Sequence, residues 1–354
     1  MTHDLLRRAR AEGTPLLDGD RATFVWEGES APRLVADFNS WGWSAGDVAT
    51  RSASETLERV APGVWAGTVE LPRDAYIEYA YRREDGSRLP DPFNARTIWN
   101  GMDADNSYFG MPDYLPTPLD RRRSGVPCGR VRRHVVRGEH LVAGGSRAVH
   151  LYQPPTDDPA PLLVVFDGQD YLRRAKLPTI VDNLIAAGRI RPVALAMVEH
   201  GDQARYLEYA QSEATLAFLA RHVLPLAQEQ LRLTDGAGEW GVLGASLGGL
   251  ISLYAALRLP ETFGRVISQS GAFGLELAGA EPLILDLVRH ARDTSPRVWM
   301  DVGRYEWLLE ANRRMRDTLA SAGFQVAYHE YSGGHNYTCW RDEVPSALEA
   351  LFAE

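Results

Sequence analysis

The chain has 354 residues, 45% of them hydrophobic and 24% charged, which excludes a disordered or fibrous polymer and leaves material for two domains of ordinary size. Its 38 lysines and arginines against 47 aspartates and glutamates give a formal net charge of −9, so no broad basic field exists to hold a nucleic acid. Two cysteines, Cys128 and Cys339, are too few for a disulfide framework and fit reducing surroundings, with one isolated bridge left open.

In chain order, MTHDLLRRARAEG carries charge throughout and shows no apolar run before a cleavage site. No later stretch approaches the ~18 uncharged apolar residues of a membrane span. A soluble, cytoplasmic protein with no membrane partner is expected, residues 1–20 being an N-terminal extension. Short alternating segments follow: ATFVWEG, RLVADFN, GVWAGTVELP and AYIEYAYRRED, with turns at Pro62-Gly63 and Asp85-Gly86. Apolar residues at spacing two are what half-buried antiparallel strands require, so residues 21–111 are predicted to form an all-β sandwich. Residues 112–129, PDYLPTPLDRRRSGVPCG, are dense in proline, glycine and charge without an apolar period and read as a linker.

Over 130–354 the texture changes. HVVRG, AVHLYQP, PLLVVFDG, PVALAMVEH, EWGVLGAS, RVISQSG, RVWMDVG and QVAYHEY read as strands. Between them AKLPTIVDNLIAAG, EATLAFLARHVLPLAQEQL, GGLISLYAALRL, EPLILDLVRHAR and YEWLLEANRRMRDTLASAG place apolar residues at helical spacing. Near-continuous apolar strands alternating with helices predict an α/β domain with a mostly parallel eight-stranded sheet covered on both faces.

Gly244-Ala245-Ser246-Leu247-Gly248 is a GxSxG run between a buried-strand pattern and a helical one. A nucleophilic serine on a sharp strand-to-helix turn needs small neighbours, so Ser246 is the candidate nucleophile; the alternative is an ordinary glycine-rich turn. His335, in YSGGHNYTCW after the last predicted strand, is the candidate base, whereas His150, His200, His222 and His329 stand in no triad order. Glu306, just past RVWMDVG, is the candidate acid. Asp301 within that strand, a dyad without a carboxylate, and a merely dipole-stabilising role for Glu306 in a helix's first turn remain alternatives. The developing oxyanion calls for backbone donors: Leu247 after the serine, and Gly168 in FDGQDY with Gln169 as its neighbour. No HxxE or CxxC cluster appears, so neither metal nor organic cofactor is expected.

With FDGQDYL, RYLEYAQSEATLAFLARHVLP, GASLGGL, ISQSGAF and GGHNYTCWRDEVPSAL in this order, the C-terminal part resembles the enterochelin esterase family of α/β-hydrolases. ADFNSW, GVWAGTVELP, YAYR and LPDPFN make the N-terminal part similar to the early-set, immunoglobulin-like sandwich that precedes the hydrolase in such esterases, and to glycogen-binding modules. The resemblance implies a serine carboxylic ester hydrolase acting through an acyl-enzyme on a catecholate siderophore, with any iron arriving on the substrate. It also implies that Arg205 helps hold that small-molecule ester, with Gln169, Trp340 and Arg341 as further substrate-binding candidates; a plain surface arginine at 205 and a bond from Arg341 to the histidine loop are the alternatives. Glutamate at 306 departs from the aspartate of many relatives by one methylene. Two other readings stand beside it. One is a feruloyl or acetyl-xylan-type carbohydrate esterase, or a general short-chain carboxylesterase, with Trp41, Trp43 and Trp65 as a sugar platform rather than sandwich core. The other is a non-catalytic carbohydrate-binding protein.

Overall fold

A computed structural model describes residues 2–42, 56–101, 104–236, 238–276 and 281–353. The chain forms two units: Met1–Pro116 with Gly303–Trp307 and Glu330–Cys339, and Thr117–Val302 with Leu308–His329 and Trp340–Glu354. Residues 1–20 hold the helix Thr2–Glu12 and the strand Leu16–Asp18, so this segment is built into the first unit.

In the first unit the alternating segments form two antiparallel sheets. One runs Leu16–Asp18, Arg21–Glu27, Val64–Glu70, Glu58–Ala61; the other runs Arg33–Ala36, Tyr76–Arg82, Asp105–Gly110, Thr97–Trp99, with Arg88–Leu89 paired to Tyr76–Arg82. Their inner faces share one core. Phe24 of the first sheet meets Tyr79 of the second edge-on at 5.0 Å between ring centroids, with Phe38 and Phe109 alongside, an arrangement aromatic quadrupoles favour. Gly63 and Gly86 take the positive φ that the expected turns demand. Trp65 packs against this core and donates to Gly28 O, and Trp41 donates to Asp37, so both indole N–H groups are engaged within the fold; Trp43 lies outside the described residues.

All eight expected C-terminal strands form, in the order Arg130–Arg137, Ser146–Gln153, Ala194–Val198, Leu162–Val165, Trp240–Ala245, Phe263–Gln269, Arg297–Gly303, Gln325–Tyr331. The sheet is mixed, with parallel pairings in the majority among those described. The first two pairings are antiparallel and the next four parallel. Only the eight residues 138–145 join the first two strands, which closes a hairpin, whereas a parallel crossover needs about a dozen or more. The central strands Leu162–Val165, Ala194–Val198 and Trp240–Ala245 are buried along their whole length, as their uninterrupted apolar sequences require. The helix Leu247–Arg258 is buried over most of its surface. The second half of the predicted linker is anchored in the second unit: Asn183 Nδ2 donates to Leu119 O and Arg121 O, and Asp182 accepts from Gly129 N–H. Neither Cys128, which is exposed, nor Cys339, which is buried, forms a disulfide. Among the described residues no helix is long and apolar enough to cross a membrane.

Candidate active site

The strand Trp240–Ala245 and the helix Leu247–Arg258 meet at Ser246, whose backbone stands at φ 60°, ψ −121°, a conformation costly for any residue but glycine. It persists because three backbone bonds hold it. Ser246 N–H donates to Gln269 O at 2.9 Å, and Ser246 O accepts from Ala272 N–H at 3.0 Å and Leu250 N–H at 3.1 Å. The glycines at the elbow have a steric reason: a Cβ on Gly244 would overlap the Gly248 backbone, and one on Gly249, just past the motif, would stand 2.6 Å from Ser268 Oγ. The half-buried Ser246 is therefore displayed on a rigid elbow, and Leu247, first residue of the helix, has no carbonyl one turn earlier to take its N–H.

Beside the elbow in the same unit, FDGQDY leaves its strand through Asp167, which takes φ 54°, and enters the helix Gly168–Arg173. A Cβ on Gly168 would overlap the Met197 backbone, so glycine is required. Asp167 is 1% exposed, and Arg205 neutralises it through a bidentate pair, Nε and Nη2 each 2.7 Å from a carboxylate oxygen. Nη2 also donates to Ala245 O at 3.2 Å, and Tyr209 OH accepts Asp167 N–H at 3.1 Å. One guanidinium thus ties the FDG loop to the residue before Ser246. The Gln169 side chain accepts from His200 N–H at 3.2 Å and fastens the next loop.

In the first unit, His335 Nδ1 and Glu306 Oε2 are 2.7 Å apart. Glu306 is fully buried; its Oε1 accepts Gly303 N–H at 2.8 Å and the Tyr331 hydroxyl at 3.1 Å. With both oxygens engaged, the carboxylate fixes the Nδ1 side of the imidazole. Glu306 stands in a turn before the helix Leu309–Ser321, so it does not cap that helix's first turn. Trp307, 50% exposed, stacks against the imidazole at 4.7 Å between ring centroids. Asp301, the rival acid, is buried within its strand and accepts from Trp299 Nε1 and Gln269 Nε2.

The residues expected to face the substrate have these partners within the protein. Arg205 spends its charge on Asp167. Trp340 is buried, donating Nε1–H to Ser270 Oγ at 2.9 Å while its carbonyl accepts from Gln269. Arg341 pairs with Asp342 at 2.9 Å and with Asp120 of the linker at 3.4 Å. Sequence reasoning missed Asp167, Tyr331 and Trp307. The first lies in the quoted FDGQDY motif and the third directly follows Glu306, whereas nothing local marks Tyr331.

The family model described as putative esterase matches residues 142–351. The iron(III) enterobactin esterase of Dickeya dadantii (strain 3937) is 32% identical over 273 residues, covering 72% of this chain and 62% of that relative's length. The crystal structure of the enterobactin esterase FES from Shigella flexneri in the presence of enterobactin superposes with a TM-score of 0.76 at 21% identity, over 94% of this chain and 92% of that one. A CE1 ferulic acid esterase from Anaeromyces mucronatus superposes with a TM-score of 0.58 at 16% identity, over 68% of this chain and 96% of its own.

Proposed function

This chain belongs to the putative esterase family, and from that premise we propose that it is an α/β-hydrolase of the enterobactin esterase kind, hydrolysing the ester bonds of a catecholate siderophore, free or carrying ferric iron, through an acyl-enzyme. The observation that carries the chemistry is the 2.7 Å bond between His335 Nδ1 and the buried Glu306. A carboxylate held there by Gly303 and Tyr331 selects the tautomer with its proton on Nδ1 and the basic lone pair on Nε2, and stabilises the imidazolium that results when Nε2 takes a proton. In this reading Nε2 takes the proton of Ser246 as Oγ attacks the ester carbonyl. The N–H groups of Leu247 and of Gly168, or its neighbour Gln169, hold the oxyanion. The imidazolium returns its proton to the departing alkoxide, and water, deprotonated by the same histidine, resolves the acyl-enzyme to acid and free serine. A cytoplasmic site of action belongs to the same proposal.

The test is kcat/KM on a catecholate trilactone with and without ferric iron, on methyl ferulate and on a short p-nitrophenyl ester. A large preference for the trilactone, lost in Ser246→Ala, is the expected result. Cleavage of ferulate or of the short ester alone would keep the serine chemistry and overturn the siderophore assignment. Retained turnover in Ser246→Ala would overturn the mechanism.

A further inference from the structure

The ADFNSW segment has no role in the reaction above, yet it delivers a buried carboxyl to the back of the histidine loop. The strand Arg33–Ala36 ends where Ala36 N–H donates to Asn39 Oδ1 at 2.8 Å and Asn39 Nδ2 donates to Leu34 O at 2.9 Å. This closes a turn in which Ser40 and Trp41 take φ of 53° and 57°. Asp37 is thereby turned inward and is 2% exposed, its Oδ2 accepting Glu78 N–H at 2.8 Å and its Oδ1 accepting Trp41 Nε1–H at 3.0 Å. The carboxyl lies flat against Gly334: a Cβ on that glycine would overlap Asp37 Cγ, and the next residue is His335. A second tie holds the same loop, Tyr76 N–H donating to Ser332 O at 3.0 Å.

Burying a carboxyl is an expensive way to fill a core that an apolar side chain would fill more cheaply. The cost here is visible: burial, then the neighbouring Glu78, push the Asp37 carboxyl well above the usual carboxylate range, and Glu306 adds in the same direction. What the carboxyl provides in exchange is shape. A planar group pinned at both oxygens is a fixed surface, and the Gly334 turn can rest on it only because glycine has no side chain.

We propose that Asp37 is a positioning residue for the His335–Glu306 pair, the seat that fixes where the Gly334–His335 turn, and hence the imidazole, stands. The proposal rests on the acid–base reading of that pair. It is tested in the full-length protein by Asp37→Ala and by Asp37→Asn, which keeps the shape and one acceptor. Three readouts are taken: the melting temperature, kcat and KM on a short p-nitrophenyl ester, and the far-downfield proton resonance of His335 Nδ1–H. The expected result is a kcat reduced about tenfold or more in folded Asp37→Ala, with KM changed less than about twofold, a weakened resonance, and partial recovery in Asp37→Asn. A folded Asp37→Ala with unaltered kcat and resonance would overturn it. Should Asp37→Ala fail to fold, Asp37→Asn and Trp41→Phe, which removes one donor from the seat, decide by the same readouts, unchanged values in both overturning it. If the wild type hydrolyses no ester the functional reading fails, and the Nδ1–H resonance still reports whether Asp37 places the imidazole.

Discussion

Glutamate at position 306 reaches one methylene farther than aspartate, and the structure uses that reach. Oε2 stands 2.7 Å from His335 Nδ1 while Oε1 holds Gly303 N–H at 2.8 Å. Glu306→Asp shortens the arm by about 1.5 Å, one C–C bond, and cannot satisfy both sides at once. Its kcat on the trilactone is expected to fall about tenfold. Glu306→Gln keeps the length but can present an amide N–H to Nδ1, which favours the wrong tautomer, and a loss of about 10²–10⁴ is expected. Rates of labelling at Ser246 by a fluorophosphonate check both; an unaffected Glu306→Gln would make the residue structural. Ser246, His335 and Glu306 could be nominated from sequence because each follows a strand whose pattern is local. The protein partners of Arg205, Trp340 and Arg341 are not legible in that way, because partner choice by a long side chain is tertiary. Arg205 meets Asp167 across 38 positions, and no local pattern says that a guanidinium will close on protein rather than on substrate.

The helix Arg205–Tyr209 holds the FDG loop from both ends, through Arg205 and through the Tyr209 hydroxyl on Asp167 N–H. Removing the guanidinium leaves Asp167 buried without its countercharge, so Arg205→Ala is expected to cost about 3 kcal/mol in urea denaturation, and Arg205→Lys, which keeps charge but not the fork, part of that. In Asp167→Ala/Arg205→Ala most of the stability should return while activity does not, since the FDG loop has lost its tie to Ala245. An Arg205→Ala cost within error of zero would show that the pair does not hold the loop. The helix Tyr337–Phe352 was not read from sequence, because it runs through Pro345 and proline inside an apolar pattern is a breaker signal. On it, burial and then Asp342 push the Glu343 carboxyl from 4.5 up to about 7. The folded state therefore prefers Glu343 protonated. That stability is fully present below pH 4.5 and is lost as pH rises toward 7. Glu343→Gln, neutral throughout, should melt with the wild type at pH 4.5 and several degrees above it at pH 8, the scale of about 3 kcal/mol. Melting curves that differ equally at both pH values would refute the titration.

At the scale of the whole molecule, a linear reading divides the chain near residues 112–129, while the units of the structure are interleaved: Gly303–Trp307 and Glu330–Cys339 join the first 116 residues. Alternation at period two announced the sandwich strands and apolar runs announced the sheet, but hydrophobic pattern cannot show that a loop far down the chain completes an earlier unit. Such contacts are made by backbone, as when Tyr76 N–H bonds Ser332 O, or by fit, as when Gly334 rests on Asp37, and neither leaves a periodic trace. A consequence follows for truncation. A fragment beginning at Thr117 keeps Ser246, Gly168 and Arg205 but strips the segments carrying Glu306 and His335 of the rest of their unit. Circular dichroism and a cooperative melt should show that the fragment folds, while fluorophosphonate labelling at Ser246 should be slower than in the full chain by about tenfold or more, because a displaced base costs rate before it costs structure. Labelling at the full-length rate would mean that the acid–histidine pair stands without the sandwich, and the first unit would then have to serve the substrate rather than the base.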